Sequence, residues 1–306
     1  MFSSAFKGLK MIFASLKMAV QDINLVLPSV LTVFSNLGFG VLLLLKAREL
    51  ASVPNVMQMG TLNGSFDPSG FGYLAGYINQ KSVLVFAGLI IAWWITNRFL
   101  EGVTSMLVYA HLTQGSSSGR FLSSCAAVFA SLPAILVLGA ATFVARRLAG
   151  FLQRFRGGLF GLLGSMFSIF WTMAGHLILP AVVIEGTSFI GGLKRAEQIA
   201  SGNLIAIGVG EVGVDGLCRF FSWLTYLAGA GGFAYAMYHA IPLNSQAALL
   251  GAVVWALVVV AVTALSIYLR AAFFTCLYVW ATDAEAVHAS ERTGVRPPSP
   301  LATALA

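Results

Sequence analysis

Polar positions are sparse along this chain, and the apolar stretches between them run to about twenty residues or more. The pattern recurs from end to end, which predicts an all-α, polytopic transmembrane helix bundle occupying 1–281 as a single domain. About six spans are expected, near 28–45, 83–112, 121–145, 159–185, 204–240 and 247–280. A polar tail from 282, ending in Pro297-Pro298-Ser299-Pro300, is expected to be disordered.

The chain opens differently. Phe2, Phe6, Leu9, Phe13, Leu16 and Val20 step by three or four and fall on one stripe, with Lys7, Lys10 and Lys17 along its flank. That pattern predicts an interfacial amphipathic helix over 2–20 whose lysines snorkel to headgroups, a passive anchor rather than a curvature sensor. The start is rich in spaced lysines and has no small-residue cleavage site, so it does not read as a cleaved signal. Further interfacial segments are expected at about 146–156 and 188–200. Residues 51–80 lack helical periodicity and carry Pro54, Asn63-Gly64 and Asp67-Pro68, which predicts a long loop with strong turn chemistry.

Composition sharpens the class. Hydrophobic residues make up 58% of the 306 and charged residues 9%, too few charges to clothe a soluble surface. The net charge of +7 lies mainly in short connections: Lys7, Lys10, Lys17, Arg146, Arg147, Arg154, Arg156, Lys194 and Arg195. Such positions contact anionic lipid headgroups and help to set topology. With the N-terminus inside, the two sides of the membrane collect nearly equal numbers of basic residues. The three lysines before the first span tip the expectation toward both termini being cytoplasmic. No soluble basic face with groove-reading elements is visible, so nucleic acid is not an expected partner.

Six Asp, Glu or Arg residues fall inside expected spans, away from their ends: Arg98, Glu101, Glu211, Asp215, Arg219 and Arg270. A charge within the bilayer is costly unless partnered, so this intramembrane polar cluster is the best lead to function. Arg98 and Glu101 are three apart and Asp215 and Arg219 four apart, so each pair shares a helix face. Arg270 is expected to meet a carboxylate from another helix. Glu211 has no same-helix cation and needs a proton, an ion, water or a distant arginine. Gly208, Gly210, Gly213 and Gly216 surround it, and an unwound helix there would suit an ion-coupled carrier. Gly157-x-x-x-Gly161 offers a close helix approach.

Other chemistry finds no support. Cys125, Cys218 and Cys276 each lie in an apolar run and read as buried thiols. His176 reads as a packing residue, and no two histidines have metal-ligand spacing, so neither a metal nor a cofactor is expected. There is no Gly-x-Ser-x-Gly elbow, Walker-type loop or His-Glu-x-x-His, and the match Gly208-x-Gly210-x-x-Gly213 lacks a preceding strand. The chain is not expected to be an enzyme.

One segment carries a family likeness. Trp171 to Gly202 reads WTMAGHLILPAVVIEGTSFIGGLKRAEQIASG. It is similar to a pattern in a bacterial family of six-span membrane proteins of unknown function. There a span ends in a proline and an acidic residue, and an amphipathic Leu-Lys-Arg-Ser helix follows. Pro180, Glu185, Leu193, Lys194 and Arg195 match, while Ala196 stands in place of the serine. The amphipathic start leading into Leu27-Pro28 is also similar to that family's. The resemblance implies a six-helix fold in a bacterial cytoplasmic membrane with the Lys194 segment inside, and it implies no activity.

Two functional expectations remain. The first is a non-enzymatic membrane component that organises lipid or a protein partner, as a homo-oligomer or with another membrane protein. The second is a small carrier or channel, with Glu211, Asp215, Arg219, Arg98 and Glu101 lining a polar path.

Overall fold

The computed structural model describes residues 2–51, 80–115, 120–154, 158–239, 242 and 245–286, with side chains except at 2–11, 49–51, 80–83, 158–159, 201–207, 209–211 and 284–286. The loop expected at 51–80, the tail beyond 286, and Arg156 and Gly157 lie outside the described residues, as do the side chains of Lys7, Lys10 and Glu211.

The protein is an all-α helix bundle. Its elements in order are α1 (Phe2–Gln21), a 3-10 turn (Ile23–Leu25), α2 (Leu27–Ala51), α3 (Gln80–Gln114), α4 (Phe121–Ala130), α5 (Leu132–Arg154), α6 (Gly158–Glu185), α7 (Phe189–Tyr238) and α8 (Gln246–Ala286). Among the described residues, five stretches are long and apolar enough to cross a membrane: Ile23–Arg48, Leu84–Gln114, Leu132–Arg154, Phe160–Glu185 and Gln246–Asp283. The chain is an integral membrane protein.

The described residues divide into two units, one of Thr32–Asn97 and one of Met1–Leu31 with Arg98–Ala306. In the smaller unit, α2 and the first half of α3 are joined by the Trp93 indole, which donates to Asn36 Oδ1 at 2.6 Å. Thr96 and Asn97 turn back onto carbonyls one turn earlier, at 2.8 Å each, which satisfies them in apolar surroundings.

In the larger unit the core is concentrated at one end of the long helices. Leu177–Val183 on α6 and Ala271–Val279 on α8 are continuously buried, whereas 246–258 of α8 and most of α7 beyond Arg219 are open. Val103, Leu107 and Val108 of α3, Ile199 of α7, and Met18 and Leu25 near the N-terminus complete this core. In a bilayer such packing gains from van der Waals contact and hydrogen bonds rather than from release of water.

Several boundaries differ from the sequence expectation. The stretch 121–145 is two helices with a one-residue break at Ser131. Pro133 lacks the N–H that would bond the Phe129 carbonyl, and the Ser131 hydroxyl instead reaches the carbonyls of Ala127 and Val182, both at 3.4 Å. The basic segment 146–154 is no separate connector but the continuation of α5. Likewise the interfacial piece at 188–200 and the span at 204–240 form one helix of 50 residues. Its glycines stay helical through 208–216, and neighbours stand close to two of them. Met173 Cε lies 3.4 Å from where a Cβ on Gly208 would sit, and Ile12 Cδ1 lies 3.1 Å from that of Gly213.

The turn between α6 and α7 is tight. Gly186 adopts φ +63°, a left-handed conformation that ends α6 at no steric cost to glycine. Ser188 then caps α7, its hydroxyl accepting from Gly191 N at 3.3 Å. A Cβ on Gly192 would meet Val182 Cγ2 at 2.8 Å, so the two helices can cross this closely only because Gly192 has no side chain.

α1, the helix expected at the interface, packs against α7 and α8. Its buried face is Ile12, Ser15, Met18 and Ala19, while Phe13 and Val20 of the expected stripe are 59% and 81% exposed. Small residues allow the close approach, and the Tyr268 hydroxyl donates to Ser15 O at 3.2 Å. Phe13 and Val20 are left facing outward, as is Lys17.

Candidate functional site

The charged residues of the larger unit meet where the buried end of the bundle gives way to the open helical arms. On α7, Asp215 and Arg219 are one turn apart, and Arg219 Nη2 lies 2.6 Å from Asp215 Oδ2. From α8, Arg270 Nη2 donates to the other carboxylate oxygen at 2.7 Å. Two guanidinium groups therefore share one carboxylate. Asp215 is 29% exposed, Arg270 41% and Arg219 80%, so this trio opens outward through Arg219.

On α3, Arg98 Nη1 donates to Glu101 Oε2 at 2.7 Å. The other Glu101 oxygen faces His176 Nδ1 of α6 at 3.9 Å, beyond hydrogen-bond reach. The His176 ring stacks on Phe274, with centroids 4.7 Å apart and an interplanar angle of 12°. Arg98, Arg146 and Arg270 all lie near enough to act on its charge. Asp215, Arg219 and Arg270 thus form a charged layer joining α7 to α8, and Arg98 and Glu101 pair on α3 beside His176. Glu211 sits on α7 one turn before Asp215, with its side chain outside those described.

A second polar node closes the α6–α7 turn. The Tyr278 hydroxyl of α8 donates to Glu185 Oε1, and Arg195 Nε donates to the same oxygen at 3.2 Å. Arg195 Nη1 also reaches Gln198 Oε1 at 3.3 Å. Pairing an exposed carboxylate with one cation contributes little by itself, but this one ties three helices together. Arg195, expected among the headgroup contacts, is thus paired with Glu185 and Gln198. Lys194, Arg146, Arg147 and Arg154 are exposed, as is Lys17, and the Arg147 guanidinium lies 5.1 Å from the Phe143 ring centre.

Tyr278 was not singled out by the sequence, and neither were Tyr268, Trp255 or the pair of His111 and Asp22, which approach at 3.4 Å. A usable signal existed for the aromatic residues: a hydroxyl or indole N–H in an apolar run requires an acceptor. Trp255 finds one in Thr225 O at 3.0 Å. Its indole occupies the place where a Cβ on Gly229 would project.

Among the described residues, no three His, Cys, Asp or Glu side chains gather as metal ligands. Cys125, Cys218 and Cys276 are free thiols. Cys218 contacts Ser266 O at 3.7 Å and Cys276 contacts the Ser15 hydroxyl at 3.9 Å. Comparison with protein-family models, curated proteins and solved structures finds no match to this chain.

Proposed function

We propose that the protein is a non-enzymatic membrane component that organises lipid or a membrane-protein partner. The observation that carries this reading is that three carboxylates of the larger unit each hold at least one arginine. Asp215 is shared by Arg219 and Arg270, Glu101 holds Arg98, and Glu185 holds Arg195. Polar groups arranged this way fix helix register. The unbroken course of α7 through Gly208–Gly216 agrees, since a carrier's coupling site is typically built on interrupted helices.

The resemblance around Pro180–Arg195 supports a bacterial cytoplasmic membrane as the location, and the lysines of α1 support a cytoplasmic N-terminus. The C-terminal part of α8 then shares that side, since Ser15 of α1 meets Tyr268 and Cys276. The test is native mass spectrometry after gentle extraction from the protein's own membrane. A stoichiometric protein partner or retained phospholipid is expected. A bare homo-oligomer carrying a small non-lipid solute would overturn the reading.

A second reading, a small carrier or channel, draws on the charged groups held within the spans: Arg98 and Glu101 beside His176, and Asp215 with Arg219 and Arg270. It requires Glu211→Gln to abolish a proton-linked flux at unchanged protein abundance. Loss of abundance instead would mark Glu211 as structural.

A further inference from the structure

Two arms extend from the charged layer without any Asp, Glu, Lys or Arg: residues 220–238 of α7 and 246–269 of α8. At 1.5 Å per residue they are about 28 Å and 36 Å long, each close to the roughly 30 Å thickness of a hydrocarbon core. They pack on each other through Trp255, Thr225 and Gly229 and are otherwise largely exposed, with Leu224, Phe233, Val254 and Leu257 facing outward. Exposed Trp223 lies one turn beyond Arg219, and Tyr238, 86% exposed, ends the same arm. Amphipathic aromatics in this bracketing arrangement settle at the two membrane–water boundaries.

If one hydrocarbon thickness is filled by these arms, Asp215, Arg219 and Arg270 lie at headgroup level and not at mid-membrane. Burial changes at that same level: Tyr268 and Leu269 are buried and 271–279 follow without interruption, while 246–258 are nearly all exposed. The trio carries one anion against two cations. Asp215 takes one oxygen contact from each guanidinium, and a guanidinium has five N–H donors in a planar fork. Arg219, 80% exposed, holds the remainder of that fork toward the outside.

We propose that Arg219 and Arg270, braced by Asp215, bind the phosphate of an anionic phospholipid at the mouth of the α7–α8 hairpin. The fork of arginine matches phosphate oxygens in a way an ammonium does not. The aliphatic stems lie along the apolar arms while the charged ends stay at the surface. The acyl chains of the same lipid would then lie against the exposed arms. Asp215 has two tasks in this arrangement: it orients both guanidinium groups and limits their net charge. The inference rests on the membrane assignment of the hairpin and is independent of whether the protein organises partners or carries a solute.

The experiment uses the full chain in a neutral detergent, titrated with phosphatidylglycerol or with phosphatidylcholine of the same acyl chains and followed by native mass spectrometry. Wild type is expected to retain phosphatidylglycerol about tenfold more tightly than phosphatidylcholine. Arg219→Gln should lose most of that preference, because Arg219 is exposed and its removal leaves Asp215 paired with Arg270. Arg219→Lys should keep part of it. Equal retention of the two lipids by wild type, or unchanged preference in Arg219→Gln, would overturn the proposal. So would displacement of phosphatidylglycerol by inorganic phosphate at about 10 mM, which would make this a site for a soluble anion.

Discussion

Replacing Gly164 by alanine tests the packing of α5 on α6 with an internal control three residues away. A Cβ at Gly164 would sit 2.9 Å from the Ala149 carbonyl oxygen and 3.0 Å from both Gln153 Cγ and Leu152 Cβ. The first of these is backbone and cannot rotate aside, so α5 must retreat by roughly half an ångström to restore ordinary contact. Overpacking of this kind costs about 1–3 kcal/mol. Gly161, by contrast, has nothing within 4 Å of its would-be Cβ. Both substitutions bring the same gain in helix propensity, up to about 1 kcal/mol, and comparing them cancels it. Gly164→Ala should therefore be less stable than Gly161→Ala by about 1–3 kcal/mol, a few degrees in melting temperature. Thermal unfolding in one detergent, read with a thiol-reactive fluorogenic dye, suits the protein: Cys276 is 0% exposed and Cys218 6%, so both react only once the bundle opens. Equal melting temperatures for the two variants, or a lower one for Gly161→Ala, would refute the assigned α5–α6 contact.

Three further substitutions probe other joints. Tyr278→Phe removes the hydroxyl donated to Glu185 and should lower stability by about 1 kcal/mol in the same assay; an unchanged melting temperature would mean that the α6–α7–α8 node is held by packing alone. Gly229→Ala should expel the Trp255 indole from α7 and destabilise the hairpin, whereas Gly229→Ala combined with Trp255→Ala should cost less than the sum of the single changes. Strict additivity in that double-mutant cycle would show that the two residues do not touch. Tyr268→Phe should loosen α1 by losing the bond to Ser15 O, at about 1 kcal/mol. Faster hydrogen exchange confined to α1 is the expected signature, and a uniform change across the protein would count against it.

What could be read in the sequence was the part governed by local rules. Apolar length identified the membrane helices, and spacing placed Arg98 beside Glu101 and Asp215 beside Arg219. Pairings across helices were less accessible. Glu185 and Arg195 both stood in the quoted motif, but they meet because Gly186 turns left-handed between them, and Tyr278 reaches them from 93 positions away. The face of α1 was read by hydrophobicity, whereas docking depends on shape: Ser15 and Ala19 admit a neighbouring helix more closely than Phe13 or Val20. The same distinction separates Gly161, which has a suggestive spacing and open surroundings, from Gly164, which has the contact. The break at Ser131 was signalled by Pro133 two residues later, a proline overlooked because the surrounding run was uniformly apolar.

The docking of α1 also has a consequence for how the chain is made. Ser15 and Cys276 are 261 positions apart, so α1 leaves the ribosome long before the part of α8 that it packs against. At about 5–20 residues per second, α1 waits roughly 13 to 50 seconds for its site on α8 to exist. Part of its site comes earlier, since Ile12 packs at Gly213 of α7, which is made before Tyr268 and Cys276. Because α1 packs on α7 as well as on α8, its site is completed in two stages, first on α7 and then on α8. A nascent chain stopped before Tyr268 would be held at the earlier stage.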